Sequence, residues 1–127
     1  METVNAVIED AQISTADHGI LSVWLRLDYG GSCQGFGGYS LMCLSDNKKL
    51  EEWQTGGNYA GVFIVRCMEI AGVHDWKDMK GRTIRVRKKG FGSPAEAIGH
   101  IVKDDWFNPA EVFEKIRNTE RTSHPLA

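Results

Sequence analysis

Apolar and polar residues alternate from Leu21 to Tyr29, which is the pattern of a half-buried β-strand. Leu21, Val23, Leu25, Leu27 and Tyr29 would share one face, and Ser22, Trp24, Arg26 and Asp28 the other. The segment Thr3–Ile13 is rich in β-branched residues and predicts a strand before this one. Asp17, His18 and Gly19 have the chemistry of a turn between the two strands.

Gly30 and Gly31 predict a two-residue type I′ hairpin turn, because both central positions of that turn need positive φ. The turn pairs Tyr29 with Ser32 and sets the register of a third strand. In that register Leu25 faces Phe36 on the apolar side. The pairs predicted on the other side are Asp28–Cys33, Arg26–Gly35, Trp24–Gly37 and Ser22–Tyr39.

The segment Tyr59–Ala71 predicts a long helix, with Asn58 as its N-cap and Gly72 as its terminal glycine. Arg66 and Glu69 fall off the apolar stripe and are expected in solvent. The stripe consists of Tyr59, Val62, Phe63, Cys67 and Ile70. A short helix over Lys48–Trp53, capped by Ser45 or Asp46, is expected before it.

The second half of the chain predicts another hairpin and a terminal helix. Asp75 would cap a single turn through Met79. A fourth strand directs Ile84 and Val86 inward, and the fifth, Ala95–Lys103, returns antiparallel to it. Asn108, Pro109 and Glu111 then supply the N-cap, first position and capping box of a helix that buries Val112, Phe113 and Ile116.

These elements predict an α+β fold. We expect an antiparallel sheet, built from a three-strand meander and a second hairpin, packed with one long helix and a C-terminal helix. A chain of 127 residues suits a single domain. We expect that domain to span residues 1–118 and residues 119–127 to form a frayed tail.

The segment Leu27–Leu41 contains five glycines and is the most unusual feature of the chain. One interpretation is packing, in which a large ring on one strand lies across a glycine on the next. The other is functional, in which the glycines clear space for a partner's backbone or a small ligand. A phosphate-binding loop does not fit, because no helix start and no Lys-Ser/Thr follow. The candidate partner-binding residues are Trp24, Arg26, Gly35, Gly37, Gly38 and Tyr39.

The composition excludes some classes of function but does not indicate a particular one. With 42% hydrophobic residues, 25% charged residues and a net charge of −2, the chain has no global nucleic-acid signal. It has no membrane-length apolar run and no secretion signal at its start, so we expect a cytoplasmic protein without a membrane partner. Cys33, Cys43 and Cys67 lack CxxC spacing and are expected to be buried reduced thiols.

Two groups of residues contain side chains that could bind a ligand or take part in catalysis. His100, Asp104 and Asp105 are of types that bind metals or transfer protons, but along a strand His100 and Asp104 lie roughly 13 Å apart. We therefore predict no metal, no cofactor and no catalytic assembly. The other group is a basic run that is either a solvated edge strand or a phosphate-binding surface. It consists of Arg82, Arg85, Arg87, Lys88 and Lys89.

Four segments together resemble a family of small hypothetical proteins encoded by tailed phages and prophages. They are "LDYGGSCQGFGGY", "AGVFIVRCMEIAGV", "DWKDMKGRTIRVR" and "AIGHIVKDDWFNP", within Ile20 to Pro109. Cys33 stands where the family's "GGSGQGFGG" string has glycine, which argues against a thiol-dependent role for Cys33. The resemblance implies a viral setting, in which small acidic proteins often bind and block host machinery.

We therefore expect a non-enzymatic accessory protein that binds and modulates a host protein or protein complex, an anti-defence inhibitor being one case. Its expected surface is the glycine-rich face, because aromatic and arginine side chains are favoured interface anchors. The alternative is a nucleic-acid-binding accessory protein that uses the basic run at residues 82–89.

Overall fold

The structure is a computed structural model that describes residues 1–17, 19–39, 41–43 and 58–123. Within these ranges it is an α+β fold, with one antiparallel sheet and two helices. The helices are α1 (Tyr59–Ala71) and α2 (Pro109–Ser123), and Trp76–Asp78 form a 3-10 turn. The strands are β1 (Glu2–Asp17), β2 (Ile20–Asp28), β3 (Cys33–Gly37), β4 (Met42–Cys43), β5 (Thr83–Lys88), β6 (Ala95–Gly99) and β7 (Trp106–Phe107).

The predicted meander and second hairpin are both present, and β1 joins them by pairing with β5. The order across the sheet is β3-β2-β1-β5-β6-β7, with β4 also paired to β2. The sheet is strongly curled, because β3 and β6 approach each other although three strands separate them. Gln34 of β3 donates a 2.7 Å hydrogen bond to the carbonyl of Ser93, just before β6. One face of the sheet is therefore concave and encloses the core.

The β2–β3 register is confirmed from Asp28–Cys33 through Trp24–Gly37. The predicted pair Ser22–Tyr39 is wrong, because pairing with β2 resumes at Leu21–Met42 after β3 ends. The turn type also differs from the prediction. Gly30 has a φ of +98°, whereas Gly31 is outside the positive-φ region, which is the pattern of a type II′ turn.

The core lies on the concave face and is closed by aromatic rings from both helices. Phe63 of α1 stacks on Phe36 of β3 with ring centroids 6.0 Å apart, and it meets Phe107 edge-on at 5.4 Å. Phe113 of α2 packs against Phe63 at 6.3 Å. Both helices therefore cover the face that carries Leu25 and Phe36.

The helix ends follow the predicted caps. Asn58 accepts a hydrogen bond from the Gly61 amide at 2.9 Å, and Gly72 is left-handed with a φ of +73°. Asn108 accepts from the Glu111 amide at 3.2 Å. The α2 helix continues to Ser123, past the predicted domain boundary at residue 118. The expected helix Lys48–Trp53 and residues 124–127 lie outside the described residues.

Three local predictions are wrong. Asp75 makes no side-chain capping bond, and the turn that follows it is a short 3-10 turn. The fifth strand ends at Gly99 rather than Lys103, and the chain bends over residues 101–104. Arg66 is not in solvent, because it forms a 2.7 Å ion pair with Asp105 across the connection to β7.

Candidate functional site

The convex side of β1, β2 and β3 is left uncovered by α1 and α2, which both pack on the concave side. We call this surface the outer face. Because side chains alternate along a strand, Leu25 and Phe36 point into the core while Trp24, Arg26 and Gly35 belong to the outer face. The surface contains a shallow depression of about 410 Å³. Asp10, Gln12, Trp24, Arg26, Cys33 and Gly35 are among the residues that line it.

Trp24 is the apolar centre of the outer face and is 44% exposed. Its ring lies across Gly35, where a Cβ atom would come within 2.9 Å of Trp24 Cζ3. A Cβ atom at Gly38 would overlap the same ring. The packing interpretation of these two glycines is therefore confirmed. They provide the room for the indole, so the group exposed at this point of the outer face is Trp24 and not bare glycine backbone.

Gly37 and Tyr39 do not belong to the outer face. A Cβ atom at Gly37 would overlap the Val23 carbonyl and come within 3.4 Å of the Phe63 ring, so this position faces inward. Tyr39 is half-buried and packs edge-on against Phe113 at 5.4 Å, at the edge of the aromatic core. Burial raises the pKa of Tyr39 above its ordinary value. The left-handed backbone at Gly37 and Gly38 takes the chain out of register after β3, and this could not be predicted from alternation.

Asp10 and Gln12 line the depression, although neither was predicted as a site residue. A bulge at Glu9 shifts the register between Ile8–Leu27 and Asp10–Arg26. Such a bulge inserts one residue and reverses which side chains face the core. The sequence signal is a change of parity, from Ala6 and Ile8 inward to Ala11 inward. Gln12 is consequently placed directly opposite Trp24.

Arg26 and Cys33 meet at one carboxylate on the rim of the depression. Arg26 Nε lies 3.2 Å from Glu9 Oε2, and the Cys33 thiol donates to the same oxygen at 3.2 Å. This bond to Glu9 raises the pKa of Cys33, so its thiolate is disfavoured. Cys33 is exposed, which corrects the expectation of a buried thiol, whereas Cys67 is buried as predicted.

Arginines of the basic run are largely engaged within the protein. Arg82 Nε donates to the carbonyl of Ala71 at the end of α1, at 3.0 Å. Arg85 donates to the carbonyls of His100 and Lys103 at 2.6 and 2.7 Å. These two side chains therefore hold a helix end and a loop, which leaves fewer of their donors for phosphate.

The rest of the basic run does not form one continuous stripe. The Arg87 guanidinium lies 3.7 Å from the ring centroid of Trp106, and Arg85 lies 4.8 Å from it on the same side of the sheet. Lys88 points to the concave side and is only 6% exposed. Lys89 follows the strand and is exposed. The five cations therefore lie on different sides of the sheet.

His100 and Asp105 stabilise the loop before β7. His100 Nδ1 accepts hydrogen bonds from the amides of Val102 and Lys103, both at 3.0 Å. Asp105 receives two bonds from Arg66, at 2.7 and 3.3 Å, and the guanidinium lowers the pKa of that carboxyl. Within the described ranges no cluster of three or more His, Cys, Asp or Glu side chains could hold a metal ion.

Comparison of this chain with protein-family models, curated proteins and solved structures found no match. Neither helix of the described part is long and apolar enough to cross a membrane.

Proposed function

We propose that this chain is a non-enzymatic accessory protein of a phage or prophage that binds and modulates a host protein complex through the outer face. An anti-defence inhibitor acting in the host cytoplasm is one form of this function. The observation that carries the proposal is the half-exposed Trp24 on a sheet face that neither described helix covers. Exposed tryptophan beside arginine is a favoured anchor in protein interfaces.

The setting of Trp24 supports a binding role because the ring is held in place before any partner arrives. It rests on Gly35 and Gly38, so little side-chain freedom is left to lose on binding. Arg26 lies next to it on the same face, with Asp10 and Gln12 across the depression. An apolar centre with a polar rim is the usual anatomy of a protein interface.

The nucleic-acid alternative has less support. Arg82 and Arg85 donate to main-chain carbonyls, and Lys88 lies on the concave side. A phosphate-binding surface needs several cations free on one side, because each contact adds to affinity by releasing counterions.

A pair of site-specific crosslinking variants tests the proposal in host cells. A photo-crosslinking residue replaces Gln12 on the outer face in one variant and the exposed Val65 of α1 in the other. We expect a specific crosslinked host protein only from position 12. That protein is then purified, and calorimetry compares its binding to the wild type, Trp24→Ser and Val65→Ser.

We expect Trp24→Ser to weaken binding by about 2 kcal/mol or more and Val65→Ser to leave it unchanged. Circular dichroism must show that both variants are folded. Crosslinks confined to position 65, or a partner that binds Trp24→Ser as tightly as the wild type, would contradict the assignment of the outer face.

A further inference from the structure

A second pocket, of about 440 Å³ and about as open to solvent as the depression on the outer face, lies where the β2–β3 turn meets the start of β1 and the end of β5. We call it the mouth cavity. It is separate from the outer face, because its strand residues point to the concave side of the sheet. Its lining residues are Glu2, Val4, Tyr29, Gly31, Ser32, Lys88 and Phe91. Its volume falls in the range of small-molecule sites, which is about 300–1,000 Å³.

Lys88 supplies the positive charge among the residues that line the mouth cavity. It continues the inward row of Ile84 and Val86, and it is 6% exposed. Its Nζ lies 4.4 Å from the centroid of the Tyr29 ring and 6.0 Å from that of Phe91. No ion pair joins Lys88 to a carboxylate within the described ranges. An ammonium that has no carboxylate partner among the described residues and lies beside aromatic rings at an open pocket is a favourable position for an anion.

Glu2 is the acidic group that lines the cavity. It stands opposite Lys88 in the β1–β5 ladder, but it is exposed and its carboxylate is not within ion-pair distance of the ammonium. Residues directly opposite each other point to the same side of a sheet. Glu2 therefore repels an anion that approaches Lys88, and its removal would favour binding.

The apolar part of the cavity is supplied by Val4, Tyr29 and Phe91. The Tyr29 ring is fixed, because its hydroxyl donates to Gln34 Oε1 at 2.6 Å. Burial raises the pKa of Tyr29, so the phenol remains uncharged beside the ammonium. Phe91 is 90% exposed and lies between two glycines, Gly90 and Gly92. Such a ring at a cavity rim gains burial when an apolar ligand is present.

We propose that the mouth cavity binds a small organic anion with an apolar body, a medium-chain or aryl carboxylate. The carboxylate is bound by Lys88 Nζ, and the apolar body packs between Tyr29, Val4 and Phe91. Charge complementarity sets the sign of the ligand, and the single ammonium favours one acidic group over a polyanion.

Fluorescence of 8-anilinonaphthalene-1-sulfonate, an aromatic anion, is the direct assay. We expect the wild type to enhance this fluorescence and octanoate to displace the probe at least about tenfold more effectively than octanol, because octanol lacks the charge. Lys88→Met keeps the length and apolarity of the side chain, and we expect it to abolish the preference for octanoate. Glu2→Gln should strengthen octanoate binding, whereas Lys88→Met should weaken it.

Trp24→Ser is the matched control, since it alters the outer face and leaves the mouth cavity intact. The proposal is overturned if the wild type does not bind the probe, if octanoate and octanol compete equally, or if Trp24→Ser rather than Lys88→Met removes binding. The octanoate–octanol comparison and Glu2→Gln decide the matter even if Lys88→Met fails to fold.

Discussion

The indole of Trp106 lies flat across Gly99 on the neighbouring strand, where a Cβ atom would come within 2.7 Å of the ring. The Arg87 guanidinium covers the same ring at 3.7 Å from its centroid. Trp24 and Gly35 repeat the arrangement at the other end of the sheet. In both places a glycine provides the room for a tryptophan on the adjacent strand. The difference is that Trp106 is covered by arginine, whereas Trp24 is left half exposed.

Gly99→Ala should destabilise the fold by about 1–3 kcal/mol, because its methyl group would collide with the fixed Trp106 ring. Thermal or urea unfolding measures the change. Gly90→Ala is the control, since a Cβ atom there meets nothing within 4 Å and the backbone is not left-handed. Equal stability of the two variants would contradict the packing of Trp106 on Gly99.

Gly30→Val should lower the free energy of unfolding by more than about 1 kcal/mol, because a β-branched residue resists the φ of +98° at this position. Gly31→Val tests the turn type directly. In a type II′ turn the second glycine does not need positive φ, so its replacement should be much better tolerated. Similar losses at both positions would instead favour the type I′ turn.

Asp105→Asn should lower the free energy of unfolding at neutral pH and reduce its dependence on pH in acid. Arg66 lowers the pKa of Asp105 from its ordinary 3.8, so the pair's contribution is fully present above 3.8 and is lost as pH falls through the lower folded value. Because the Asp105 side chain is 39% exposed, we expect no more than about 1 kcal/mol at neutral pH.

Urea unfolding between pH 2 and 7 compares Asp105→Asn with the wild type and with Asp104→Asn, a neighbouring exposed carboxylate. The loss of stability on acidification should be smaller in Asp105→Asn alone. If the loss of stability on acidification is reduced equally in Asp105→Asn and Asp104→Asn, the Arg66–Asp105 pair is not its cause.

Cys33 should react slowly with iodoacetamide despite its exposure, because the bond to Glu9 raises the pKa of the thiol and only the thiolate attacks. Glu9→Ala should accelerate the reaction, and Asp10→Ala, on the next residue, should not. Peptide mass spectrometry assigns the label to Cys33. Burial raises the pKa of Cys67 as well, so that thiol should remain unlabelled in the folded protein.

Arg85→Ala should cost about 1.5–3 kcal/mol of stability, because the carbonyls of His100 and Lys103 lose a charged donor. Lys89→Ala should cost little.

We also expect no DNA or RNA binding by the wild type at physiological salt. Submicromolar, salt-dependent binding that is weakened by Arg87→Glu and Lys89→Glu would restore the nucleic-acid alternative.

Local patterns in the sequence determined much of the fold. The alternation through Val23, Leu25 and Leu27 identified the buried face of β2, and the two turn glycines set its register with β3. Asn58 and Asn108 marked both described helix starts. These predictions succeeded because each depends on residues a few positions apart, where backbone geometry links spacing to direction.

Tertiary structure decided which residues join Trp24 and Arg26 on the outer face and which residues form the mouth cavity. The bulge at Glu9 brought Gln12 opposite Trp24, and the left-handed backbone after β3 turned Tyr39 against the aromatic core. The curl of the sheet brought Tyr29 beside Lys88, 59 positions along the chain, and α1 brought Arg66 to Asp105. Spacing in the sequence could not reveal these pairs. Each depends on how distant elements pack together, and a single inserted residue reverses the face that a strand presents.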